Sequence, residues 1–283
     1  MGIDRLNALM GKDKSDDIQY IKPNKLMSYS LNPFKKYDGE RRENLKQSII
    51  NNGVINPVIV VSNLFDNSYT IICGHNRADI CKELNMDVPC IIRDDLAPEE
   101  QTLLMLESNL NQRSIDDMLP SELSKALLMR NNALKQAKKS WVQLEPQQRL
   151  SEQIGDEYKL SASSVKRYIR IGQYLTEELM ELLDNKEIGL TTAVNLSHMA
   201  KEAQIMLAEQ VNTNKYRVSL NASEKLKETS DITIEYIQEL LSPTKSNDKP
   251  IKFTKKKLLK YIPEDDISRA EEIIINALKQ YYA

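Results

Sequence analysis

The chain has 283 residues, a net charge of −2 and 41% hydrophobic residues. Its length predicts more than one domain, and its apolar content excludes a wholly disordered chain. The near-neutral charge excludes a uniformly basic surface, so any site for nucleic acid has to be local. Cys73, Cys81 and Cys90 lack the spacing of metal ligands and indicate a reducing, cytoplasmic compartment. No apolar run is long enough to span a bilayer.

Residues 1–19 carry four apolar side chains at helical spacing before a charged break. A helix of one and a half turns is too short to be stable alone. We therefore expect a flexible N-terminal tail that is either frayed or ordered by a partner, in preference to a membrane anchor.

Residues 20–115 alternate between the periodicity of helices and that of strands, which predicts an α/β domain. The first helix, residues 40–52, places Leu45, Ile49 and Ile50 on one face and ends at Gly53. Two more helices and three strands are expected. The helices cover residues 76–84 and 96–113, and the strands cover residues 57–61, 69–73 and 88–93.

Beyond residue 115 the pattern is helical. Residues 116–211 are predicted to form a helical domain, residues 212–252 a helical connector and linker, and residues 253–283 a small helical segment that is a candidate for dimerisation. The fold class is therefore α+β, with an N-terminal α/β domain, an all-α domain and a helical tail.

The turn Gly74-His75-Asn76-Arg77 joins a predicted strand to a predicted helix. A glycine there allows a ligand to approach the backbone, and the helix N-terminus offers unpaired N–H groups to an anion. Arg77 adds a forked cation that suits phosphate oxygens. The alternative is an ordinary turn with a solvated arginine.

A polar helix end follows about thirty residues later, with Ser108, Asn109 and Arg113. These side chains are candidates for the second wall of one phosphate pocket, in which the amide oxygen of Asn109 is a candidate ligand for Mg²⁺. The alternative is a solvated helix end.

A helix-turn-helix is predicted between residues 147 and 170, with a helix at 147–155 and a turn at 156–160. Ser161 is expected to cap the second helix, which turns Val165 and Ile169 toward the core. The candidate DNA-binding residues are Ser161, Ser163, Ser164, Lys166, Arg167 and Arg170. The alternative is a basic surface helix in a bundle.

In their order along the chain, these parts resemble the ParB family of partition proteins, over residues 21–211. The similar segments are LNPFKKYD, LKQSIINNGVINPVIV, YTIICGHNRADICKELNMDVPCIIRD, ESNLNQR, LPSELSKA and SSVKRYIRI. The GHNR turn and the RYIRI helix look most like the ParB-like proteins of plasmids and integrative conjugative elements.

The resemblance implies a ParB/sulfiredoxin-like N-terminal domain and a homodimeric DNA clamp on a palindromic, centromere-like site. It also implies CTP with Mg²⁺ as a switch, at most slow CTP hydrolysis, and a ParA-type ATPase as partner. No catalytic residue is assigned. In the family's phosphate turn Gly74 and Arg77 match, while His75 and Asn76 replace a glutamate and an arginine. The resemblance also implies nucleotide contacts from Ser108, Asn109, Arg113, Gly53 and Pro57.

Two other functions stay open. One is a DNA-binding transcriptional regulator without a nucleotide switch. The other is an enzyme of the related sulfiredoxin-type fold, although Cys73 lies one position before the place of that fold's reactive cysteine.

Overall fold

The computed structural model describes residues 17–64, 66–110, 113–140, 150–241 and 254–282. The chain divides into two compact units, Met1–Leu241 and Ser242–Ala283. Within the described ranges, none of the helices combines the length and the apolar character needed to cross a membrane.

The first unit begins with a mixed five-stranded sheet. Its strands are β1 (Gln19–Ile21), β2 (Leu26–Ser28), β3 (Val58–Ser62), β4 (Tyr69–Cys73) and β5 (Val88–Ile92), in the order β1-β5-β3-β4-β2. β3 pairs antiparallel with β4 and parallel with β5. The three predicted strands are confirmed within one residue at each end. β1 and β2 were not predicted, because an edge strand of three residues is too short for a clear alternation.

Three helices belong to this α/β part: α1 (Gly39–Asn52), α2 (His75–Glu83) and α3 (Pro98–Leu110). Gly53 ends α1 with a φ of 69°, as predicted, and its N–H donates to the carbonyl of Ile49 at 2.9 Å. The prediction that Ile50 shares one face with Leu45 and Ile49 was wrong, because Ile50 is 52% exposed whereas Ile49 is buried. Leu45 and Ile49, four residues apart, share the buried face, and Ile50 is rotated away from it.

Among the described residues of the first unit, eight helices follow. They are α4 (Pro120–Ser140), α5 (Leu150–Tyr158), α6 (Ala162–Tyr174), α7 (Glu177–Asp184), α8 (Leu190–Leu196), α9 (Lys201–Asn214), α10 (Leu220–Glu228) and α11 (Ile234–Leu241). The predicted succession of an α/β part and a helical part is confirmed. Helices continue past residue 211 to Leu241.

Two hydrophobic clusters organise these helices, and α6 contributes to both. Val165 belongs to the cluster that α3, α4 and α5 share, whereas Ile171 belongs to the cluster of α7–α11. A Cβ built on Gly172 would lie 2.5 Å from the carbonyl oxygen of Ser124. The glycine thus lets α6 pack directly against the backbone of α4, which fixes the position of the predicted DNA-binding helix.

The second unit contains α12 (Lys255–Leu258), a 3-10 turn (Glu264–Arg269) and α13 (Ala270–Tyr282). Ile275 and Leu278 are 44% and 51% exposed on α13. Dimerisation through this segment stays a prediction. Residues 1–16 of the predicted tail and residues 242–253 of the predicted linker lie outside the described residues.

Candidate functional site

A cavity of about 930 Å³ lies beside the sheet, where α2 begins and α3 ends. The loop of residues 28–37 and the segment 56–57 complete its walls. Eight predicted nucleotide-binding residues line it: Pro57, Gly74, His75, Asn76, Arg77, Ser108, Asn109 and Arg113. Gly53 is not among the lining residues. The structure therefore brings together the two motifs that the sequence placed about thirty residues apart.

Gly74 gives the cavity an open helix N-terminus. Its φ of 100° is left-handed, and a Cβ there would lie 2.8 Å from Nη2 of Arg77 and 3.1 Å from Cγ2 of Val58. Only glycine fits this position without strain. No side chain caps α2, so the N–H groups of its first turn are left to a ligand, and the helix dipole favours an anion there.

Part of the hydrogen-bonding capacity of the Arg77 guanidinium is used by the protein's own backbone. Its Nη1 donates to the carbonyl of Asn56 and, at 3.1 Å, to that of Pro57, and burial lowers the pKa of its guanidinium. The alternative of an ordinary turn with a solvated arginine therefore does not describe this structure. Because these partners are carbonyls, no carboxylate neutralises the charge through these bonds.

His75 and Asn76 hold the loop of residues 28–37 over the cavity. The backbone N–H of Tyr29 donates to Nε2 of His75 at 3.3 Å, and that of Tyr37 donates to Oδ1 of Asn76 at 2.9 Å. Burial, with a contribution from the charge of Lys36, lowers the pKa of His75 to about 4. A neutral imidazole at pH 7 can accept this hydrogen bond.

This arrangement predicts a pH-dependent stability. The pKa of His75 falls from an ordinary 6.5 to about 4 in the fold. Between these values the unfolded chain binds a proton that the folded chain does not, so the stabilisation by neutral His75 is complete above pH 6.5 and is lost as the pH falls to 4. We expect wild type to lose more unfolding free energy than His75→Gln over this range in urea titrations. A constant difference between the two proteins contradicts the assignment.

The end of α3 forms the opposite wall. Oγ of Ser108 and Nδ2 of Asn109 both donate to the carbonyl of Met105, at 3.0 Å and 2.9 Å. This hydrogen bond uses the amide nitrogen of Asn109 and leaves its amide oxygen for a ligand. Proteins often supply only one or two oxygen ligands to Mg²⁺, and the amide oxygen of Asn109 is suited to be one of them. No group of three His, Cys, Asp or Glu residues that could hold a metal occurs among the described residues.

Arg113 is buried, in contrast to the alternative of a solvated helix end. Its Nη2 donates to the carbonyl of Lys35 at 2.9 Å, and its Nη1 lies 3.5 Å from Oε1 of Glu122. The guanidinium also faces the ring of Tyr37, 4.8 Å from the centroid. Arg113, which was predicted to contact phosphate, thus also fixes the loop that closes the cavity. The intervening residues 111–112 lie outside the described part of the chain.

The contribution of the loop of residues 28–37 to the cavity was not predicted from the sequence. Seven of its polar or aromatic residues line the cavity, and Arg93 lines it as well. The loop residues are Ser28, Tyr29, Asn32, Phe34, Lys35, Lys36 and Tyr37. The segment LNPFKKYD carried part of the family resemblance and was the available signal. Lys36 is paired with Asp79 at 2.5 Å, whereas the side chain of Lys35 is exposed.

The predicted helix-turn-helix consists of α5 and α6 with a shorter turn than expected. The predicted turn at 156–160 was wrong: α5 continues to Tyr158, and only residues 159–161 separate the two helices. Lys159 has a φ of 56°, and the N–H of Leu160 donates to the carbonyl of Gly155 at 2.9 Å. This bond is typical of a Schellman motif, which reverses the chain immediately after a helix.

Ser161 caps α6 as predicted, because its Oγ accepts from the N–H of Ser164 at 3.0 Å. Ser163, Lys166 and Arg167 are exposed, and Ser164 is half-buried. Val165 is buried as expected, and Ile169 is half-buried against the same core. Arg170 is engaged by the protein, with its Nε donating to Oγ of Ser197 at 2.9 Å.

The geometry disfavours the sulfiredoxin-type enzyme. Cys73 is buried, and its Sγ donates to the carbonyl of Leu104 at 3.6 Å. Burial raises the pKa of this thiol to about 11. Reactive cysteines need an accessible thiolate near neutral pH, which this environment opposes.

Residues 9–110 match the family described as the ParB N-terminal domain. An α/β domain with an uncapped helix N-terminus thus precedes two helices, α5 and α6, that are joined by a short turn. Over residues 9–110, less than half of its length, the chain is similar to the ParB N-terminal domain family. The subgroup of plasmids and integrative elements stays a prediction.

Three relatives extend this similarity. "Probable chromosome-partitioning protein ParB" of Rickettsia felis is 31% identical over 108 residues, and the match spans only 36% of this chain and 36% of that protein. "Probable chromosome 2-partitioning protein ParB" of Deinococcus radiodurans is 24% identical over 241 residues, or 81% of this chain and 80% of that protein. The nucleoid occlusion protein of Listeria monocytogenes is 25% identical over 77% of this chain and 74% of its own length.

Among solved structures, the chain is similar to truncated Caulobacter crescentus ParB complexed to the parS site. The TM-score is 0.37 at 18% identity, over 74% of this chain and 98% of that one. The same protein complexed with CTP-γ-S gives a TM-score of 0.31 at 21% identity, over 69% and 99%.

Proposed function

We propose that the protein is a sequence-specific DNA-binding partition protein whose cavity binds CTP. The observation that carries this proposal is the coexistence, in one unit, of an open helix N-terminus in a large cavity and a helix pair with exposed cations on its second helix. The relatives named as partitioning and nucleoid occlusion proteins support it over most of the chain.

The cavity suits a nucleotide polyphosphate. Phosphate groups favour a helix N-terminus approached through glycine, which Gly74 and α2 supply. Arg77 adds positive charge that no carboxylate neutralises through its observed hydrogen bonds. We assign the choice of CTP to the family resemblance.

Asn109 is the residue proposed to coordinate Mg²⁺. A bound Mg²⁺ would neutralise phosphate charge, while Asn109 would supply one oxygen and Ser108 a nearby hydroxyl. Hydrolysis is proposed to be slow at most, since neither side chain has an acid–base function at pH 7.

The helix pair suits the major groove of DNA. Its second helix presents Ser161 and Ser163 at its start and Lys166 and Arg167 one turn later, where recognition helices contact bases and phosphates. By the same resemblance we propose a palindromic site, a homodimer, a ParA-type ATPase partner, and a role in segregating a plasmid or mobile element.

The test is a selection from a randomised duplex pool with the full-length protein. We expect an enriched palindrome whose affinity falls about tenfold or more in Arg167→Ala, because one good base contact contributes about 1–3 kcal/mol. Lys25→Ala, an exposed lysine away from the helix pair, is the matched control. Failure to enrich any sequence at physiological salt contradicts the proposal.

A regulator without a nucleotide switch is the second candidate. The observation in its favour is that Arg77 and Arg113 already bind the carbonyls of Pro57 and Lys35. If the protein is such a regulator, adding CTP changes neither the affinity for DNA nor the lifetime of the complex with DNA.

A further inference from the structure

A second group of cations lies beside α6. Arg170 donates from Nε to Oγ of Ser197 at 2.9 Å, and its Nη2 lies 3.5 Å from the carbonyl of Ser197. The next residue, His198, is exposed after the end of α8. Burial lowers the pKa of His198, and the charges of Arg170 and Lys227 lower it further. Arg170 and Lys227, from two different helices, thus both lie within electrostatic reach of His198.

In the described part of the chain, no carboxylate forms an ion pair with Arg170, His198 or Lys227. The side chains of His198 and Lys227 also form no hydrogen bond there, and α6 contains no acidic residue. Glu224 and Glu228 share α10 with Lys227 but are not paired with it. Like charges held together raise the local potential, which a bound anion relieves.

The spacing of the group is fixed by buried contacts. Ser197 is 3% exposed, and its Oγ donates to the carbonyl of Val194 at 2.7 Å. A second buried hydrogen bond joins α8 to α10, because Nδ2 of Asn195 donates to the buried Oγ of Ser223 at 3.0 Å. The cations therefore stand on a rigid surface whose position relative to α6 is set by the core.

We propose that Arg170, His198 and Lys227 form a second phosphate-binding surface, which contacts the DNA backbone beside the groove that α6 enters. This inference rests on the proposed function, because it requires that α6 meets DNA. The occupant is the phosphate backbone because cations without amide side chains provide charge but no pattern of donors and acceptors for reading bases.

The experiment measures binding of the full-length chain to two duplexes, the palindrome that wild type selects and a duplex of mixed sequence, at several salt concentrations. The variants are Lys227→Ala, His198→Gln, Arg167→Ala and, as the matched control on α10, Lys225→Ala. Lys225 is also exposed, but it lies two residues before Lys227 and therefore points to another side of α10. Thermal unfolding of each variant confirms that these exposed positions leave the fold intact.

We expect Lys227→Ala to weaken both duplexes about equally, by about eightfold at 0.1 M salt, and to reduce the slope of log affinity against log salt by about one. His198→Gln is expected to weaken binding to both duplexes by a smaller factor. Lys225→Ala is expected to leave binding to both duplexes unchanged. If Lys227→Ala binds like wild type while Arg167→Ala loses the selected duplex, the second surface is wrong and the proposed function stands. If wild type selects no duplex, both are wrong.

Discussion

Arg130→Met is expected to lower the free energy of unfolding of the first unit by about 3–5 kcal/mol, the usual cost of removing one partner from a buried ion pair. Arg130 is 3% exposed and donates from Nη1 to Oε1 of Glu107 at 2.9 Å and from Nη2 to Oε2 of Glu157. Burial opposes its charge, but Tyr158, Glu157 and Glu107 together raise the pKa of Arg130. The methionine leaves two carboxylates without their cation.

The matched control is Lys125→Met on the same helix. Lys125 pairs with Glu177 at 2.7 Å, but the two side chains are 35% and 72% exposed. An exposed pair of this kind contributes about 0–1 kcal/mol. Urea titrations of both variants measure the two losses of unfolding free energy. Equal losses in the two variants mean that the buried cluster does not stabilise the contact between α3, α4 and α5.

Gly155→Ser is expected to cost about 3 kcal/mol and to abolish selection of a DNA site, since overpacking against a rigid backbone forces the backbone to move. A Cβ on Gly155 would lie 2.4 Å from the carbonyl oxygen of Leu160. That carbonyl belongs to the turn that orients α6 against α5. The substitution therefore displaces the helix that is proposed to enter the groove.

Gly189→Ser is the control with the same change in side chain. Gly189 is the N-cap of α8, and no atom lies within 4 Å of the position of its Cβ. Serine is a favourable N-cap, so the free energy of unfolding is expected to stay within about 0.5 kcal/mol of wild type. Thermal unfolding and duplex binding measure both variants. A Gly155→Ser protein that binds DNA like wild type contradicts the assigned turn.

The order of elements was predictable wherever side chains alternate or repeat over several residues. β3, β4 and β5 and the helices α1–α3 have such patterns, whereas β1 and β2 are three-residue strands held by their neighbours in the sheet. The prediction that Ile50 shares a face with Leu45 and Ile49 was wrong for a related reason. Adjacent apolar residues on a helix point about 100° apart, and only the tertiary contacts of α1 decide which of them is buried.

The residues of the cavity were predictable, but their hydrogen-bond partners were not. The GHNR turn and the end of α3 converge as expected. Nothing in the sequence indicated that Arg77 would bind the carbonyl of Pro57, or that Arg113 would pair with Glu122 and hold Lys35. Such partners come from segments distant along the chain, and they depend on the fold rather than on local periodicity.

The most direct test of the proposed function is titration of the full-length protein with radiolabelled CTP, ATP, GTP and UTP in the presence of Mg²⁺. The variants are Arg77→Ala and, as the matched control on α2, the exposed Lys82→Ala. We predict selective binding of CTP that is lost in Arg77→Ala and retained in Lys82→Ala. If wild type binds none of the four nucleotides while it still selects a duplex, the cavity is not a nucleotide site and the protein binds DNA without the proposed switch.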